Sequence, residues 1–470
     1  MSSNRATSAP TEQKLPEIDN LRHLDIRAPR YTSYPTADRF IEAFGPQDYA
    51  RHLSARALVH AGPLSVYVHI PFCESLCYYC ACNKTITRRY EKAPAYVQRL
   101  LNELQLVDEH LVGDRQLSQM HWGGGTPTYL RKEEISVLMR GLREHFELLD
   151  DGEYSIEIDP RAVDGEKIEL LASEGFNRMS LGVQDFDPDV QRAINRLQPV
   201  EQTRQVLEQA RAAGFTSTNF DLIYGLPLQT VERYARTMED VIEMRPERIA
   251  LYNYAHLPAR FKAQRHILDA DLPSSAEKFA IFEMASEKLY AAGYEYIGMD
   301  HFAVPDDELA VAHRTGRLHR NFQGYSTRPD SDLIALGASS ISRVGACYSQ
   351  NLRGVSDYTD RVSQGQLPTM RGIELTRDDV LRRAVIMAIM CQGHIDKKAI
   401  EIAHLVDFDQ YFVRELAALR PLEELQMVQL DTNTITITEQ GRRKALRVVA
   451  ATFDHNVQAN QHRQSLSRVL

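Results

Sequence analysis

The chain has 470 residues, of which 43% are hydrophobic and 25% are charged, and this composition excludes collagen-like, low-complexity and wholly disordered proteins. Its 55 lysines and arginines are outnumbered by 64 aspartates and glutamates, and a net charge of -9 favours neither a nucleic-acid backbone nor an anionic membrane as a partner. The longest strongly apolar run, residues 384–391, is far shorter than the roughly 18 residues of a membrane span. Because the first twenty residues also lack a signal-peptide apolar stretch, we expect a cytoplasmic protein.

The elements predicted in chain order begin with a polar segment and continue as alternating strands and helices. Residues 1–20 lack apolar periodicity and predict a mobile leader. Residues 21–60 are expected to form an N-terminal segment, in which the stretch PRYTSYPTADRF (29–40), with its two prolines, predicts extended or looped chain. Short β-branched or apolar runs then predict six strands, separated by stretches of helical periodicity. The strands are expected at 64–70, 117–122, 154–158, 178–183, 217–223 and 248–254, and the helices at 96–112, 133–146, 167–174, 200–213 and 231–244.

This alternation predicts an α/β fold. Strand, helix, strand units favour parallel pairing through right-handed crossovers, and six of them suggest a partial (β/α)6 barrel with its catalytic residues at the C-terminal ends of the strands. A helix at 275–291 and a strand at 294–299 follow, and from about residue 375 helical segments dominate, with a hairpin-like stretch at 428–437. We therefore predict a core barrel over 61–295, an extension over 296–374 and a mainly helical C-terminal domain over 375–470.

A cluster of cysteines follows the first predicted strand. Four of the six cysteines, Cys73, Cys77, Cys80 and Cys82, lie within ten residues as C-x3-C-x2-C-x-C. Structural zinc sites usually take two ligand pairs separated by a dozen or more residues, and ferredoxins use C-x2-C-x2-C, so neither a zinc site nor a plain electron carrier fits well. Reduced structural thiols or a disulfide pair would need no metal, but unliganded cysteines rarely cluster so closely.

The C-x3-C-x2-C spacing resembles the signature of the radical S-adenosylmethionine (SAM) enzymes. In that family, three cysteines hold three irons of a [4Fe-4S] cluster, and the fourth iron binds the amino and carboxylate groups of SAM. The resemblance implies that Cys73, Cys77 and Cys80 are the cluster ligands and that Tyr79 is the aromatic residue beside the adenine.

From about residue 25 onward, the chain resembles one branch of that family, the oxygen-independent coproporphyrinogen III oxidases of haem biosynthesis. Cys82 favours this branch over the related haem chaperones, which usually carry an aromatic residue at that position. The motifs that carry the resemblance are RYTSYPT (30–36), YVHIPFCESLCYYCACN (67–83), HWGGGTPTYL (121–130), IEIDPR (156–161), GVQDF (182–186), FDLIYGLP (220–227), YNYAHLP (252–258), GMDHFA (298–303) and HRNFQGY (319–325).

The resemblance further implies a site for two SAM molecules. The glycines that follow the second strand lack a Cβ and let the backbone approach a ligand closely. The residues expected at the cluster-bound SAM are Tyr67, Gly124, Glu157 and Ile341, and those expected at the second SAM are Tyr79, Gly125, Thr126, Gln184, Arg196, Asp221 and Ala255. Tyr67, His69 and Glu157 are the expected catalytic residues.

The substrate implied by the resemblance, coproporphyrinogen III, carries four propionates. Guanidinium groups bind carboxylates in bidentate fashion, so arginines are expected around it. The candidates are Arg27, Arg30, Arg88, Arg89, Arg320 and Arg468.

The implied reaction is an anaerobic oxidative decarboxylation. A reduced flavodoxin- or ferredoxin-type protein would supply one electron, SAM would be cleaved to methionine and a 5'-deoxyadenosyl radical, and that radical would take a hydrogen atom from the β-carbon of a propionate. Loss of carbon dioxide and an electron would leave a vinyl group, and a second round with a second SAM would give protoporphyrinogen IX. Because such a radical must be shielded from water and oxygen, the N-terminal segment over 21–60 is expected to cover the substrate. We expect a monomer without nucleic-acid or membrane partners.

Three other classes of protein are alternatives to this interpretation. A haem chaperone on the same scaffold would lack Cys82 and the HRNFQGY segment, both of which are present. A nucleic-acid-modifying radical enzyme would show a basic stripe or an added RNA-binding domain. A ring-opening haem-degrading relative is excluded less firmly by the sequence.

Overall fold

The structure, a computed structural model, describes residues 28–59, 62–322, 324–328 and 331–458. The predicted leader over 1–20 lies outside these residues, as do Arg27 and Arg468 among the predicted substrate contacts. The strands are β1 (Leu64–Ile70), β2 (Phe72–Cys73), β3 (Thr85–Ile86), β4 (Gln116–Gly124), β5 (Glu147–Ile158), β6 (Arg178–Gln184), β7 (Ser217–Tyr224), β8 (Arg248–Asn253), β9 (Glu295–Gly298), β10 (His301–Ala303), β11 (His319–Asn321), β12 (Gly324–Ser326), β13 (Leu333–Leu336), β14 (Ile341–Val344), β15 (Cys347–Asn351), β16 (Thr369–Glu374), β17 (His394–Asp396), β18 (Val428–Leu430) and β19 (Thr434–Ile437).

The helices alternate with the strands in the first part of the chain and dominate the last part. They are α1 (Pro46–Val59), α2 (Lys92–Asp108), α3 (Lys132–His145), α4 (Gly165–Ser173), α5 (Pro188–Ala193), α6 (Val200–Ala213), α7 (Val231–Met244), α8 (Ser275–Ala291), α9 (Glu308–Arg314), α10 (Val355–Ser363), α11 (Arg377–Gln392), α12 (Lys397–His404), α13 (Phe408–Tyr411), α14 (Val413–Glu424), α15 (Glu439–Lys444), α16 (Leu446–Thr452) and α17 (His455–Gln458). Among the described residues, no helix combines the length and the apolar character that crossing a membrane requires.

One twelve-stranded sheet forms the barrel, with the spatial order β16-β15-β14-β13-β1-β4-β5-β6-β7-β8-β10-β9. Strands β1 and β4 to β8 are parallel neighbours, which are the six barrel strands that the sequence predicts. In the described residues β16 and β9 are the edges of this sheet, so the barrel is partial, as expected. Parallel pairing brings the C-terminal ends of the six strands to one end of the barrel.

The sheet continues beyond the predicted strands at both edges. Strand β13 pairs in parallel with β1, and β14 to β16 add antiparallel strands, while β10 pairs antiparallel with β8. No strand between 300 and 374 was predicted, because these strands are three to six residues long and offer little periodicity.

The second half of the N-terminal segment over 21–60 is the helix α1, which was not predicted from the sequence. Pro46 opens this helix at a position where proline is tolerated. Tyr49, Leu53 and Arg56 are buried at helical spacing against the barrel, so tertiary packing stabilises the helix. Helix α2 likewise begins before the predicted 96–112, because Ala93 is already buried in the core.

Two large hydrophobic cores hold the described chain together. The first surrounds the barrel strands and includes the fully buried Trp122. The second combines the C-terminal helices with Ala28, Tyr31 and Tyr34 of the N-terminal segment. In the C-terminal region, α11, β17, α12, α14, β18 and β19 form a helical unit with a three-stranded sheet of order β17-β19-β18.

Candidate functional site

A cavity of about 550 Å3 lies at the C-terminal ends of the barrel strands. Gly124, Glu157 and Gln184, at the ends of β4, β5 and β6, contribute to its wall, as do Asp221 of β7 and Tyr252 of β8. Ligand sites in parallel barrels form at this end, because loops there follow every strand. The fold therefore gathers residues that are far apart in sequence around one volume.

The cysteine loop closes one side of this cavity. It starts at the short strand β2, which pairs in parallel with β3, and the chain between them turns back on itself. Cys73, Cys77, Cys80 and Cys82 all line the cavity, and none of them is in a disulfide. Cys77 is buried, Cys73 and Cys80 are half-buried and Cys82 is exposed. The four clustered cysteines are therefore free thiols in this structure.

The surroundings of the thiols differ. Burial raises the pKa of Cys73 to about 11, although the Thr126 hydroxyl donates a hydrogen bond to its sulfur at 3.4 Å. A hydrogen bond with Cys82, together with the nearby Lys84 charge, lowers the pKa of Cys80 to about 6 in spite of burial. Metal-bound cysteines are thiolates, so a bound metal would complete the deprotonation at Cys73 that burial opposes.

The donor set fits an iron–sulfur cluster. Thiolates are the ligands of such clusters, and each cysteine binds its own iron, so the three sulfurs surround a body of several atoms. In the described part of the chain, no three His, Cys, Asp or Glu side chains converge on a single-ion position. Cys73, Cys77 and Cys80 bring three thiol groups to the wall of one cavity, and thiols are the ligand type that such a cluster takes.

The glycine loop after β4 lies directly against the cysteine loop. The Gly125 amide donates a hydrogen bond to the Ile70 carbonyl at 2.8 Å, and a Cβ at Gly125 would lie 2.7 Å from the Pro71 carbonyl carbon. Gly124 has a φ of +117°, in the left-handed region that favours glycine, and a Cβ there would lie 2.6 Å from the His69 ring. Side chains larger than hydrogen are thus excluded at both positions.

Glu157 presents a carboxylate to the cavity. Its Oε2 accepts a hydrogen bond from the Gly124 amide at 3.1 Å, and its Oε1 lies 3.3 Å from His121 Nε2. Burial raises the pKa of this carboxyl, but the hydrogen bonds and the charge of His121 outweigh burial and leave the pKa lowered. The side chain is 43% exposed, and that exposure is to the cavity it lines, so an ionised acceptor is available to an ammonium or a hydroxyl group.

Tyr67 and His69 lie behind the cavity wall. The Tyr67 hydroxyl is 3.1 Å from His69 Nδ1, and its ring stacks on His121 with centroids 5.9 Å apart. His69 Nε2 lies 3.0 Å from the Asn83 carbonyl oxygen, and burial lowers the pKa of this histidine. The structure thus connects both residues to Glu157 through His121 and to the end of the cysteine loop through Asn83.

A buried charge network forms another part of the cavity wall. Asp159 accepts hydrogen bonds from Arg161 Nη2 at 2.7 Å and from Arg196 Nη1 at 3.1 Å. Burial raises the pKa of Asp159, but the two guanidinium groups dominate and lower it to about 2. Both arginines also point a nitrogen at Cys77 Sγ, at 3.6 Å from Arg196 Nη1 and 3.7 Å from Arg161 Nη2. Arg196 was predicted as a site residue, whereas Asp159 and Arg161 were missed, although both belong to the IEIDPR motif.

Two further polar side chains stand at strand ends. Gln184 has a φ of +68° and is buried at the end of β6. Asp221 accepts hydrogen bonds from Ser180 Oγ at 2.8 Å and from Asn219 Nδ2 at 2.9 Å, and burial raises its pKa to about 6. Asp221 therefore changes its charge near neutral pH.

The cavity brings together most of the predicted site residues. Ala255 is exposed beyond β8, where Gln264 Nε2 donates to both its carbonyl, at 3.2 Å, and that of Tyr79, at 2.9 Å. The predicted residues that line the cavity are Cys73, Cys77, Tyr79, Cys80, Gly124, Gly125, Thr126, Glu157, Gln184, Arg196 and Asp221, and those outside its lining are Tyr67, His69, Ala255 and Ile341. Tyr252 and Ser180, which were not predicted from the sequence, also line it.

The arginines predicted to bind propionates fall into two groups. Arg88 is exposed and lines the cavity, and Arg89 is exposed beside it. Arg30 lies 5.4 Å from the centroid of the Tyr252 ring and forms an ion pair with Asp300. Arg320 is 7% exposed, and its Nε and Nη1 have no hydrogen-bond partner among the described residues. Arg320 thus retains unused donors in a buried position.

The geometry can be compared with known proteins. The family model described as "Radical SAM superfamily" matches residues 67–241, and the one described as "HemN C-terminal domain" matches residues 375–443. The chain is 47% identical to the oxygen-independent coproporphyrinogen III oxidase of Pseudomonas aeruginosa, over 97% of this chain and 98% of that protein. It is 48% identical to the protein of the same name from Escherichia coli, over 96% of this chain and 97% of that protein.

A solved structure resembles the described fold closely. The structure reported as "Coproporphyrinogen III oxidase (HemN) from Escherichia coli is a Radical SAM enzyme" aligns with a TM-score of 0.88 and 49% sequence identity. The alignment covers 91% of this chain and 97% of that chain. The similarity therefore extends through the barrel, its extension and the C-terminal region.

Proposed function

The chain belongs to the family of oxygen-independent coproporphyrinogen III oxidases, which are radical SAM enzymes, and from this premise we propose that it converts coproporphyrinogen III into protoporphyrinogen IX without oxygen. Two propionates are oxidatively decarboxylated to vinyl groups, with one SAM consumed for each. The observation that carries the proposal is the single cavity in which Cys73, Cys77 and Cys80 face the glycine loop and Glu157.

The chain's own residues hold the cofactors in this proposal. When bound, the [4Fe-4S] cluster and SAM supply a 5'-deoxyadenosyl radical, which the protein itself cannot make. Cys73, Cys77 and Cys80 hold the cluster, and Gly124 lets the backbone approach the amino acid end of the cluster-bound SAM. Glu157, kept ionised by the Gly124 amide and His121, accepts hydrogen bonds from that molecule.

The proposed second SAM lies at the part of the cavity wall that Gln184, Arg196 and Asp221 form. Arg196 and Asp221 offer one cationic and one acidic group there, and Gln184 offers an amide. The Gly125 and Thr126 backbone and the Tyr79 ring complete this subsite in the proposal. Since the pKa of Asp221 is raised to about 6 by burial, its carboxylate is ionised above that pH and ready to bind hydroxyl groups or cations.

Arginines bind the propionates that do not react. Arg320 is the strongest candidate, because it is buried, has two nitrogens without a partner among the described residues and lies near Tyr252 of the cavity wall. Arg30 is already paired with Asp300, and a propionate would share the Arg30 guanidinium with that carboxylate. Arg88 reaches the cavity from the exposed side. The substrate thus extends from the cysteine loop toward Tyr252.

The N-terminal segment and the C-terminal domain, which lie outside the six barrel strands, shield the reaction in this proposal. A reactive radical survives only where water and oxygen are kept out. The N-terminal segment and the C-terminal domain share one hydrophobic core, so we propose that they cover the substrate as one body. We also propose that a reduced flavodoxin- or ferredoxin-type protein supplies the electrons and that the enzyme is a cytoplasmic monomer.

An anaerobic assay tests the proposed function. Protein with a reconstituted cluster is given coproporphyrinogen III, SAM and a reductant, and the products are separated by chromatography with mass detection. The expected product is protoporphyrinogen IX with two vinyl groups. A protein that keeps its cluster absorbance but forms no vinyl product contradicts the proposal. Tight haem binding without turnover would indicate a chaperone, and conversion of haem into a linear tetrapyrrole would indicate a ring-opening enzyme.

A further inference from the structure

Cys77 is distinguished from the other proposed cluster ligands by two guanidinium groups at its sulfur. Arg196 Nη1 lies 3.6 Å and Arg161 Nη2 3.7 Å from Cys77 Sγ, within the range of N–H···S hydrogen bonds. The Cys73 sulfur has the neutral Thr126 hydroxyl at 3.4 Å. At Cys80 the neighbouring cation is a single ammonium, Lys84, which also donates to the Cys80 carbonyl at 3.0 Å. The greatest density of fixed positive charge is therefore at Cys77.

Asp159 fixes both guanidinium groups in place. Arg161 is held by two hydrogen bonds, from Nε to Oδ1 at 2.9 Å and from Nη2 to Oδ2 at 2.7 Å. Arg196 is 6% exposed, donates to Asp159 Oδ2 at 3.1 Å and to the Gly182 carbonyl at 2.6 Å. Two cations and one anion leave one net positive charge beside the sulfur. Because Arg161 makes two hydrogen bonds to Asp159, its guanidinium has a fixed orientation and cannot rotate away from Cys77 without breaking them.

The effect of this charge on a cluster follows from electrostatics. Hydrogen bonds to the cluster sulfurs and nearby positive charge stabilise the reduced state, which carries one more electron, and so raise the reduction potential. The effect is strongest where water is excluded, as around the buried Cys77. Arg196 is already assigned to the second SAM, whereas Arg161 has no role in the binding scheme above.

We propose that Arg161 is a positioning residue that raises the reduction potential of the cluster through its hydrogen bond to Cys77, with Asp159 holding its guanidinium in place. This inference rests on the proposed function, because it takes Cys77 as a cluster ligand. Arg161 lowers the free energy needed to transfer one electron from a low-potential donor to the cluster, the donor being oxidised in that step. A residue that merely supports the fold through Asp159 would leave the potential unchanged.

The test is the midpoint potential of the cluster in the reconstituted full-length protein. Arg161→Gln removes the charge and the terminal guanidinium nitrogens but keeps a polar, uncharged side chain. We expect its reduction equilibrium to shift about tenfold toward the oxidised cluster, which is about 59 mV for a one-electron couple. Redox titration with mediators, followed by the electron paramagnetic resonance signal of the reduced cluster, measures this shift directly and needs no substrate.

Arg140→Gln is the matched control, since it makes the same substitution at an exposed position of α3 that does not line the cavity. Its midpoint potential should stay close to that of the unchanged protein. An Arg161→Gln potential equal to that of the unchanged protein or of the control overturns the inference. If Arg161→Gln holds no cluster, Arg161→Lys is titrated in its place. Its ammonium keeps the charge but lacks the planar guanidinium that joins Asp159 to Cys77 Sγ, so the potential should still be lowered, by less than the full shift, and an unchanged potential overturns the inference. Absence of a cluster from the unchanged protein would instead refute the proposed function.

Discussion

At the scale of single residues, Gly125 shows how closely the two loops of the site approach each other. An added Cβ would lie 2.7 Å from both the carbonyl carbon and the carbonyl oxygen of Pro71, and 2.8 Å from the Phe72 oxygen. These are backbone atoms, so no side-chain rotation relieves the contact. Any substitution at Gly125 must therefore move the glycine loop or the start of the cysteine loop, and both belong to the proposed cofactor site.

Gly125→Ala is expected to weaken SAM binding to the reconstituted protein about tenfold or more. A displaced glycine loop would lose contacts with SAM, and a loss of about 1.4 kcal/mol of binding free energy weakens the affinity tenfold. Isothermal titration calorimetry under anaerobic conditions measures the dissociation constant. Gly45→Ala is the control, since a Cβ at Gly45 would meet nothing within 4 Å. Unchanged SAM affinity in Gly125→Ala would show that the loop contact is not part of the binding site.

Cys73→Ala tests the cluster ligands themselves. Removing one of three thiolates should abolish a stable cluster, and we expect the yield of 5'-deoxyadenosine from SAM to fall about 100-fold or more. Iron content and product yield are measured together. Cys347→Ala is the control, because Cys347 is a fully buried thiol of β15, away from the cavity lining. Undiminished 5'-deoxyadenosine formation in Cys73→Ala would refute the ligand assignment.

At the scale of elements, a buried carboxyl joins α2 to the turn that follows β13. Glu103 is 1% exposed and accepts hydrogen bonds from the Gly337 amide at 2.7 Å, the Tyr358 hydroxyl at 2.6 Å and Asn351 Nδ2 at 2.5 Å. From the same helix, the Tyr96 hydroxyl donates to the His69 carbonyl at 3.0 Å. Helix α2 thus connects the sheet extension to the end of β1, where the cysteine loop begins.

The buried Glu103 carboxyl makes the free energy of unfolding depend on pH. Burial raises the pKa of Glu103 from 4.5 to about 7, so the folded protein binds a proton that the unfolded chain releases between these pH values. The free energy of unfolding therefore decreases as the pH rises from about 4.5 through about 7. Position 103 cannot titrate in Glu103→Gln. Relative to this variant, the free energy of unfolding of the unchanged protein should decrease by roughly 3 kcal/mol between pH 5 and pH 8.

Urea unfolding of both proteins at the two pH values measures this difference. Glu109→Gln, at an exposed position just after α2, is the control and should behave as the unchanged protein does at both pH values. A gap between Glu103→Gln and the unchanged protein that is the same at pH 5 and pH 8 would contradict the raised pKa.

At the scale of the whole molecule, the N-terminal segment and the C-terminal domain form one hydrophobic unit. Tyr31 is 1% exposed in the second core, and its hydroxyl donates to Asp454 Oδ2 at 3.0 Å, across more than 400 residues of sequence. Arg447 Nε donates to the Pro29 carbonyl at 3.3 Å. The two ends of the described chain therefore stabilise each other.

Tyr31→Ala should destabilise this unit by about 3–5 kcal/mol, the usual cost of removing a buried aromatic side chain. Tyr31→Phe keeps the ring and loses only the hydrogen bond to Asp454, so its cost should be about 1–3 kcal/mol. Urea unfolding followed by tyrosine fluorescence and by protease sensitivity of the C-terminal domain measures both. Equal stability of Tyr31→Ala and the unchanged protein would show that the second core does not depend on the N-terminal segment.

The six barrel strands were predictable because each is an apolar run bounded by helical periodicity, as at β1 (Leu64–Ile70) and β7 (Ser217–Tyr224). Short strands such as β14 (Ile341–Val344) were not, since pairing with distant strands stabilises them. Helix α1 was missed for a similar reason, because its buried residues pack against the barrel.

The candidate site shows the same difference between local patterns, which the sequence reveals, and long-range contacts, which it does not. The cysteine and glycine loops were predictable because their spacing is local, and the resemblance to a family supplied the remaining positions. Arg161 was missed because its contact with Cys77 spans 84 positions of sequence. Asp159 was missed because its importance lies in holding two arginines, which no sequence pattern reveals. Long-range contacts are thus the part of the site that required the structure.

The most direct test of the proposed reaction follows the hydrogen atom that is removed. Coproporphyrinogen III carrying deuterium at the β-carbons of its propionates is incubated without oxygen with the reconstituted protein, SAM and a reductant. Mass spectrometry of the isolated 5'-deoxyadenosine should show one deuterium per molecule, with two such molecules for each protoporphyrinogen IX. Formation of the divinyl product together with deuterium-free 5'-deoxyadenosine would contradict the proposed hydrogen abstraction.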